Sequence, residues 1–438
     1  MATTVADAGP AKLVRGIRRW DLVAVAINGT IGASIFGLPS RLFELSGVYS
    51  LLAFLVCAAV ITLIVLCFAE VGSRFTQSGG PYLYARETFG SAVGFEVGWL
   101  LWLARLTAFA TNCNLLITYL ALFMPQFGAG GGRIAVIALI VSVLTTINII
   151  GVRETAIVTD IFTVGKLIPL LLFIGVGVFY IDPEALQATS FPATDAFWMS
   201  VLLLIYSFSG FEYATIPGAE VQDPKRNIPF AILVTVVVVT AVYLLIQLVC
   251  IGTFPGLAAS PRPLADAASH MVGAGGAVLI GVGAIISITG GINGMVLASS
   301  RLLFAMSEQR HLPKFLSRTN ARFRTPHFAI LFSAVTMLVL TVATTFIYAL
   351  TISTLIRLLT YAATCAALPV LRRRETEHPA HFHVRGGPVI AVIALLLITW
   401  LLSHSTLREV KHVAIAAAIG LPVLVLSRIG QSRKEGLP

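Results

Sequence analysis

Three ionisable side chains lie where apolar sequence surrounds them, and such a residue inside a membrane span is a functional candidate by default. Lys166 sits well inside the apolar run 155–180, Glu212 inside the run 195–220, and Arg105 inside the run 89–123. An amine buried without a permanent partner loses its hydration, so it can release and regain a proton. The static alternative is that Lys166 snorkels, or braces the chain by pairing with Glu212. Glu212 stands two residues after Gly210, and its plainest reading is a structural hydrogen-bond acceptor. Arg105 has no partner that the sequence assigns. Glu70 and Glu220 stand at the ends of apolar runs, where pairing with a nearby Arg or Lys at a gate or loop is the expected role.

Other chemistries find little footing. Neither an H-E-x-x-H helix nor a G-x-S-x-G nucleophile turn is present, which argues against an enzyme embedded in the membrane. His378, His381 and His383 cluster, but no acid or thiol stands at a fixed offset, so a solvated loop is expected rather than a metal site. The glycine-rich stretch 128–132 lacks the Lys and Ser/Thr of a phosphate loop. All five cysteines fall in apolar runs without a C-x-x-C pair and read as small buried hydrophobes. No metal and no cofactor are expected.

The elements that hold these groups follow from composition. Hydrophobic residues make up 57% of the 438, charged residues 11%, and mean hydropathy is +0.91. A soluble domain carries about twice that charge, so the surface must face lipid instead of water. Segments of about 20 apolar residues suffice to span. Twelve are read, at roughly 21–42, 48–72, 89–123, 133–150, 155–180, 195–220, 229–253, 275–306, 327–347, 350–370, 388–403 and 411–428. Arg and Lys are concentrated on one side, including Arg74, Arg86, Lys225, Arg226, Arg372, Arg373 and Arg374. The other side holds only Arg41, Arg133, Arg262, Arg408 and Lys411. Positive loops stay cytoplasmic, which places both termini in the cytoplasm of a multi-pass protein of the cytoplasmic (inner) membrane. The formal charge of +10 is therefore topogenic and does not point to nucleic acid. No cleavable signal peptide is evident before Trp20.

Two spans should break. The first contains Gly29, Gly32 and Gly37, each costing about 1 kcal/mol against Ala in a helix. The sixth is interrupted by Gly210, Pro217 and Gly218. Close packing through small residues would explain the first alone. Paired interruptions at corresponding places in two five-span halves point instead to a transporter's binding site. A broken helix offers free amides on one half, suited to a carboxylate, and free carbonyls on the other, suited to an ammonium group. A zwitterionic amino acid presents both charges close together.

At these residues the chain resembles the amino acid–polyamine–organocation superfamily over nearly its whole length. Gly32-Ala33-Ser34-Ile35-Phe36 is similar to the family's G-[AS]-G-I-F. Ala69-Glu70-Val71-Gly72 with Ser78-Gly79-Gly80-Pro81-Tyr82-Leu83-Tyr84 resembles its motif after span two. The stretch from Phe208-Ser209-Gly210-Phe211-Glu212 to Gly218-Ala219-Glu220-Val221-Gln222-Asp223-Pro224 is the most specific. Gly290-Gly291-Ile292-Asn293-Gly294, then Ser300-Arg301-Leu302-Leu303-Phe304 and His311-Leu312-Pro313, complete the series.

The resemblance implies an all-α fold of twelve transmembrane helices. These form an inverted five-plus-five repeat, with helices 1 and 6 broken, plus two C-terminal helices. The units would be an N-terminal segment 1–20, repeats 21–180 and 181–370, a basic loop 371–387, helices over 388–428 and a tail 429–438. It implies a substrate carboxylate held at Gly32, Ala33 and Ser34, and a substrate amine near Thr30, Tyr206 and Ser209, with Gly210 also in the binding site. It implies Lys166 and Glu212 in proton coupling or gating. Two departures stand out: Ser34 replaces the family's second glycine, and Ser307-Glu308-Gln309-Arg310 replaces its A-x-D-G turn.

The expected function is secondary active transport of an amino acid, proton-coupled, by alternating access. Sodium-using members of the family that the chain resembles hold the cation between span-one carbonyls and span-eight hydroxyls, a part that Ser287 and Thr289 could supply, but a Lys166 ammonium would occupy the same place. A polyamine pocket should show further acids, and only Glu212 is evident, so a neutral amino acid is expected. An amine or polyamine carrier, an amino acid exchanger and a non-transporting sensor remain as alternatives. The partners are then an amino acid, a coupling proton and the bilayer.

Overall fold

A computed structural model describes residues 17–75, 79–151, 156–187, 190–215, 221–309, 311–374 and 379–435, with side chains omitted over 156–164 and 425–435. Ser78, Pro217, Gly218, Ala219, Glu220, Arg310 and His378 lie outside the described residues.

The described chain is helical throughout, and its one β contact is a single parallel bridge between Ile17 and Val221. In order, the helices are α1 (Arg19–Thr30), α2 (Ser34–Ser46), α3 (Ser50–Gly72), α4 (Pro81–Phe89), α5 (Ser91–Leu120), α6 (Gly130–Ile150), α7 (Ala156–Gly177) and α8 (Thr194–Phe208). There follow α9 (Pro224–Thr253), α10 (Pro263–Val272), α11 (Ala274–Glu308), α12 (His327–Ala343), α13 (Phe346–Arg373), α14 (Gly387–Ser403) and α15 (Leu407–Glu435).

Helix occupies most of the described residues of each of the twelve apolar runs, with interruptions that include 31–33, 209–210 and 344–345. Seven stretches are each long and apolar enough to cross a bilayer: 34–72, 91–120, 130–150, 194–215, 224–253, 274–308 and 346–373. The pair α14–α15 qualifies as a unit, bent by 117° at its junction, while 165–180 and α12 are shorter apolar helices. Large apolar side chains such as Leu139, Val237, Val335, Val389 and Leu396 are exposed. Water does not tolerate such a surface over so many helices, whereas lipid does. The protein is a multi-pass membrane protein.

The short helices α4 and α10 lie between apolar runs and were not anticipated. Each starts with proline at its first position, where the missing N–H costs nothing. The junction near Tyr348 falls earlier than expected, because Thr345 caps α13 by accepting from the Tyr348 amide at 3.4 Å. The packing centre is α5, which lies against α11, α12 and α13, while α1 and α3 pack on α9. These contacts set the broken segments after α1 and α8 side by side.

At the end of α3, the buried Glu70 carboxylate accepts from Arg74 at 3.0 Å and from Arg372 at 2.7 and 2.6 Å. It also accepts from the Val384 amide at 2.9 Å. One carboxylate thus fastens α3 to the end of α13 and to the loop before α14.

Candidate functional site

The first break is short. α1 ends at Thr30, residues 31–33 are not helical, and α2 starts at Ser34. The second separates α8, ending at Phe208, from a single 3-10 segment, Phe211–Thr215. Glycine explains both locally and between them. Gly210 has φ +117°, a region that L side chains rarely adopt. A Cβ there would lie 2.4 Å from the Gly29 carbonyl oxygen, and a Cβ on Gly29 would lie 2.4 Å from the Tyr213 ring. The two breaks touch backbone to backbone because neither glycine carries a side chain.

The residues expected around a ligand meet at this contact. Thr30, Gly32, Ala33, Ser34, Tyr206, Ser209 and Gly210 all line one cavity of about 40 Å³, together with Gly29, Asn112, Tyr213, Met295 and Arg357. That volume suits a water rather than an amino acid, so the cavity must widen to admit a solute. The amino end of α2 supplies amides without intrahelical partners and partial positive charge. The carbonyls already have partners. Thr30 O accepts from Tyr243 Oη at 2.9 Å. Tyr206 O accepts from the Ser209 hydroxyl at 2.6 Å and its amide at 3.2 Å. An ammonium group reaching Tyr206 O must displace the Ser209 hydroxyl. The Tyr206 hydroxyl donates to Asn112 Oδ1 at 3.0 Å, a link the sequence did not signal.

Lys166 and Glu212 are not paired with each other. The Lys166 ammonium donates to Ile31 O at 2.8 Å and also to Asn28 O. These carbonyls close α1, where a helix carries partial negative charge. Lys166 also lines an adjoining cavity of about 290 Å³ with Gly29, Gly32, Asn112, Tyr213 and Ser287. Thr289, named above beside Ser287 as a possible cation ligand, does not line it.

Glu212 is held from three directions. Its carboxylate accepts from the Gly210 amide at 2.8 Å, from Arg357 at 2.7 Å and from the Tyr361 hydroxyl at 3.1 Å. The second break is thereby tied to α13. Arg357 was overlooked in the sequence, although a lone charge in the run 350–370 is the same signal that drew attention to Arg105. Arg105 donates to Ala298 O at 3.0 Å. With Arg357, Glu212, Tyr213 and Arg301 it lines a third cavity of about 600 Å³. Tyr213 borders all three cavities.

Comparison with known proteins agrees with this architecture. A family model described as amino acid permease matches residues 17–423. The rat (Rattus norvegicus) large neutral amino acids transporter small subunit 2 is 29% identical, covering 94% of this chain and 80% of the relative. The serine/threonine exchanger of Bacillus subtilis (strain 168) is 28% identical, covering 91% and 93%. The Asc-type amino acid transporter 1 of Mus musculus is 31% identical, covering 94% and 81%. With four-fifths or more of each relative spanned and the family model met almost end to end, the chain belongs to the amino acid permease family of the amino acid–polyamine–organocation superfamily.

Proposed function

We propose that this protein is a secondary transporter that carries amino acids across a cytoplasmic membrane by alternating access. In this reading twelve spans form two inverted five-helix repeats plus two further helices, with both termini cytoplasmic. The observation that carries it is the meeting of two helix breaks around one cavity. Amides at the start of α2 suit a carboxylate, and the carbonyls at the end of α1 suit a cation. Its ligand residues are Gly32, Ala33 and Ser34 for the carboxylate, with Thr30, Tyr206 and Ser209 around the amine and Gly210 at the break.

Proton coupling is assigned to Lys166. Its ammonium sits on the carbonyls of Asn28 and Ile31, so losing a proton removes the positive charge and weakens the bonds that brace the first break against α7. Glu212 acts on the gate through its tie to Arg357 on α13. An ammonium on those carbonyls also disfavours Na⁺ at the same place by like-charge repulsion. A second reading, strict exchange of one amino acid for another, is favoured by the relative named as an exchanger.

Uptake of radiolabelled amino acids into proteoliposomes separates these readings. Accumulation driven by an inward proton gradient supports symport. Uptake that requires amino acid inside and ignores both proton and sodium gradients supports exchange. Absence of both uptake and counterflow across a broad amino acid panel would discard transport.

A further inference from the structure

The third cavity holds an imbalance of charge that the reading above does not use. Among its described lining residues are three cations, Arg105, Arg301 and Arg357, and one carboxylate, Glu212. Glu212 and Arg357 form an ion pair at 2.7 Å with side chains only 7% and 8% exposed, so they offset each other. Arg105 is different. It lies halfway along the 30-residue α5, and no carboxylate pairs with it among the described residues. Its one hydrogen bond goes to the Ala298 carbonyl, which leaves its other guanidinium donors without an acceptor there.

An arginine at mid-span is costly and is retained where it meets a partner or a permeant. Arg301, an exposed residue of α11, lines the same cavity, and no carboxylate pairs with it among the described residues. Arg357 and Tyr213 border both this cavity and the small one between the breaks. A solute whose α-carboxylate and α-amine sit at the breaks would therefore extend its side chain past Arg357 toward Arg105.

Resting on the transport reading above, we infer that the carried amino acid has an anionic side chain, a second carboxylate or a sulfonate, received by Arg105. The count of acids alone argues for a neutral substrate, but the count of cations reverses that expectation. A planar guanidinium with free donors binds an oxyanion in forked geometry, which a neutral side chain cannot exploit.

The test is counterflow in proteoliposomes loaded with an unlabelled amino acid mixture. Labelled glutamate, aspartate and cysteate are compared with glutamine, serine, leucine and lysine. The expected result is that the anionic amino acids exchange faster than their neutral isosteres, with glutamate exceeding glutamine. Arg105→Gln should lower the glutamate-to-glutamine rate ratio by roughly tenfold or more, the scale of one lost charge-assisted bond. Because the ratio is taken within one preparation, a lower yield of folded variant does not move it. Exchange of neutral or cationic amino acids without the anionic ones overturns this inference and leaves the transport reading standing. An unchanged ratio in Arg105→Gln overturns the assignment of Arg105. Neither counterflow nor gradient-driven uptake with any amino acid discards the transport reading and this inference with it.

Discussion

The Lys166 ammonium rests on the carbonyl of Ile31 at 2.8 Å, 135 residues away in sequence. A helix on one side of the site thereby stabilises the open end of a helix on the other. The bond is charge-assisted while the amine is protonated and weaker once it is neutral, which ties a proton to the geometry of the first break.

Replacing Lys166 tests this link. Lys166→Ala should abolish the response of uptake to an inward proton gradient and lower uptake by roughly tenfold or more, since bonds to charged groups contribute about 1.5–3 kcal/mol. Lys166→Arg keeps a cation that does not release its proton, so it should retain binding and lose the response. An alanine variant still driven by the proton gradient would remove Lys166 from coupling.

The contact of Gly210 with the Gly29 carbonyl predicts intolerance of a single methyl group. Gly210→Ala faces both a positive φ and a 2.4 Å approach to backbone, which cannot step aside as a flexible side chain can. We expect a loss of about 1–3 kcal/mol of stability and severe loss of uptake. Thermal unfolding in detergent and uptake are the two readouts. Wild-type values for both would mean that the breaks do not meet as described.

The buried pair Glu212–Arg357 should be far more sensitive to losing one partner than both. Arg357→Met strands a carboxylate that is 7% exposed, at a cost of about 3–5 kcal/mol. Adding Glu212→Leu should restore much of that stability without restoring transport. A double-mutant cycle on unfolding midpoints measures the coupling. Strictly additive effects would show that the two residues act independently.

Glu70 predicts a latch on the loop before α14. Its bonds to Arg74, Arg372 and the Val384 amide hold that loop on the end of α3. Glu70→Ala should expose residues 380–386 to limited proteolysis at protein concentrations and temperatures where the wild type is resistant. Equal protection in the variant would show that the latch contributes nothing.

Orientation is checked at Arg373, which is exposed at the end of α13. The five native cysteines are all free and buried, so a cysteine introduced by Arg373→Cys should dominate labelling. A membrane-impermeant thiol reagent should label it only after permeabilisation, as the distribution of Arg and Lys requires. Labelling in intact cells would invert the topology.

Several features were legible because their causes are local. Apolar runs long enough to span need no partner to identify them, and Gly32 and Gly210 weaken a helix whatever surrounds it. The gathering of Thr30, Gly32, Ala33, Ser34, Tyr206, Ser209 and Gly210 follows from two such breaks facing each other. Helices α4 and α10 were less legible, since short amphipathic segments between spans carry no length signal. Arg357 was legible in principle as a charge within an apolar run, but its significance was not.

The sequence by itself determined that this chain lives in lipid, where its helices run and where two of them fail, because hydropathy and glycine content act on a few residues at a time. Only the tertiary structure decided the partners. It set Lys166 against Asn28 and Ile31 instead of Glu212, set Glu212 against Arg357 and Tyr361, and left Arg105 facing a cavity with a single backbone acceptor among the described residues. The physical reason is range: an ion pair or hydrogen bond depends on a few ångströms between helices distant in sequence, and the packing of α5, α7, α11 and α13 sets those distances.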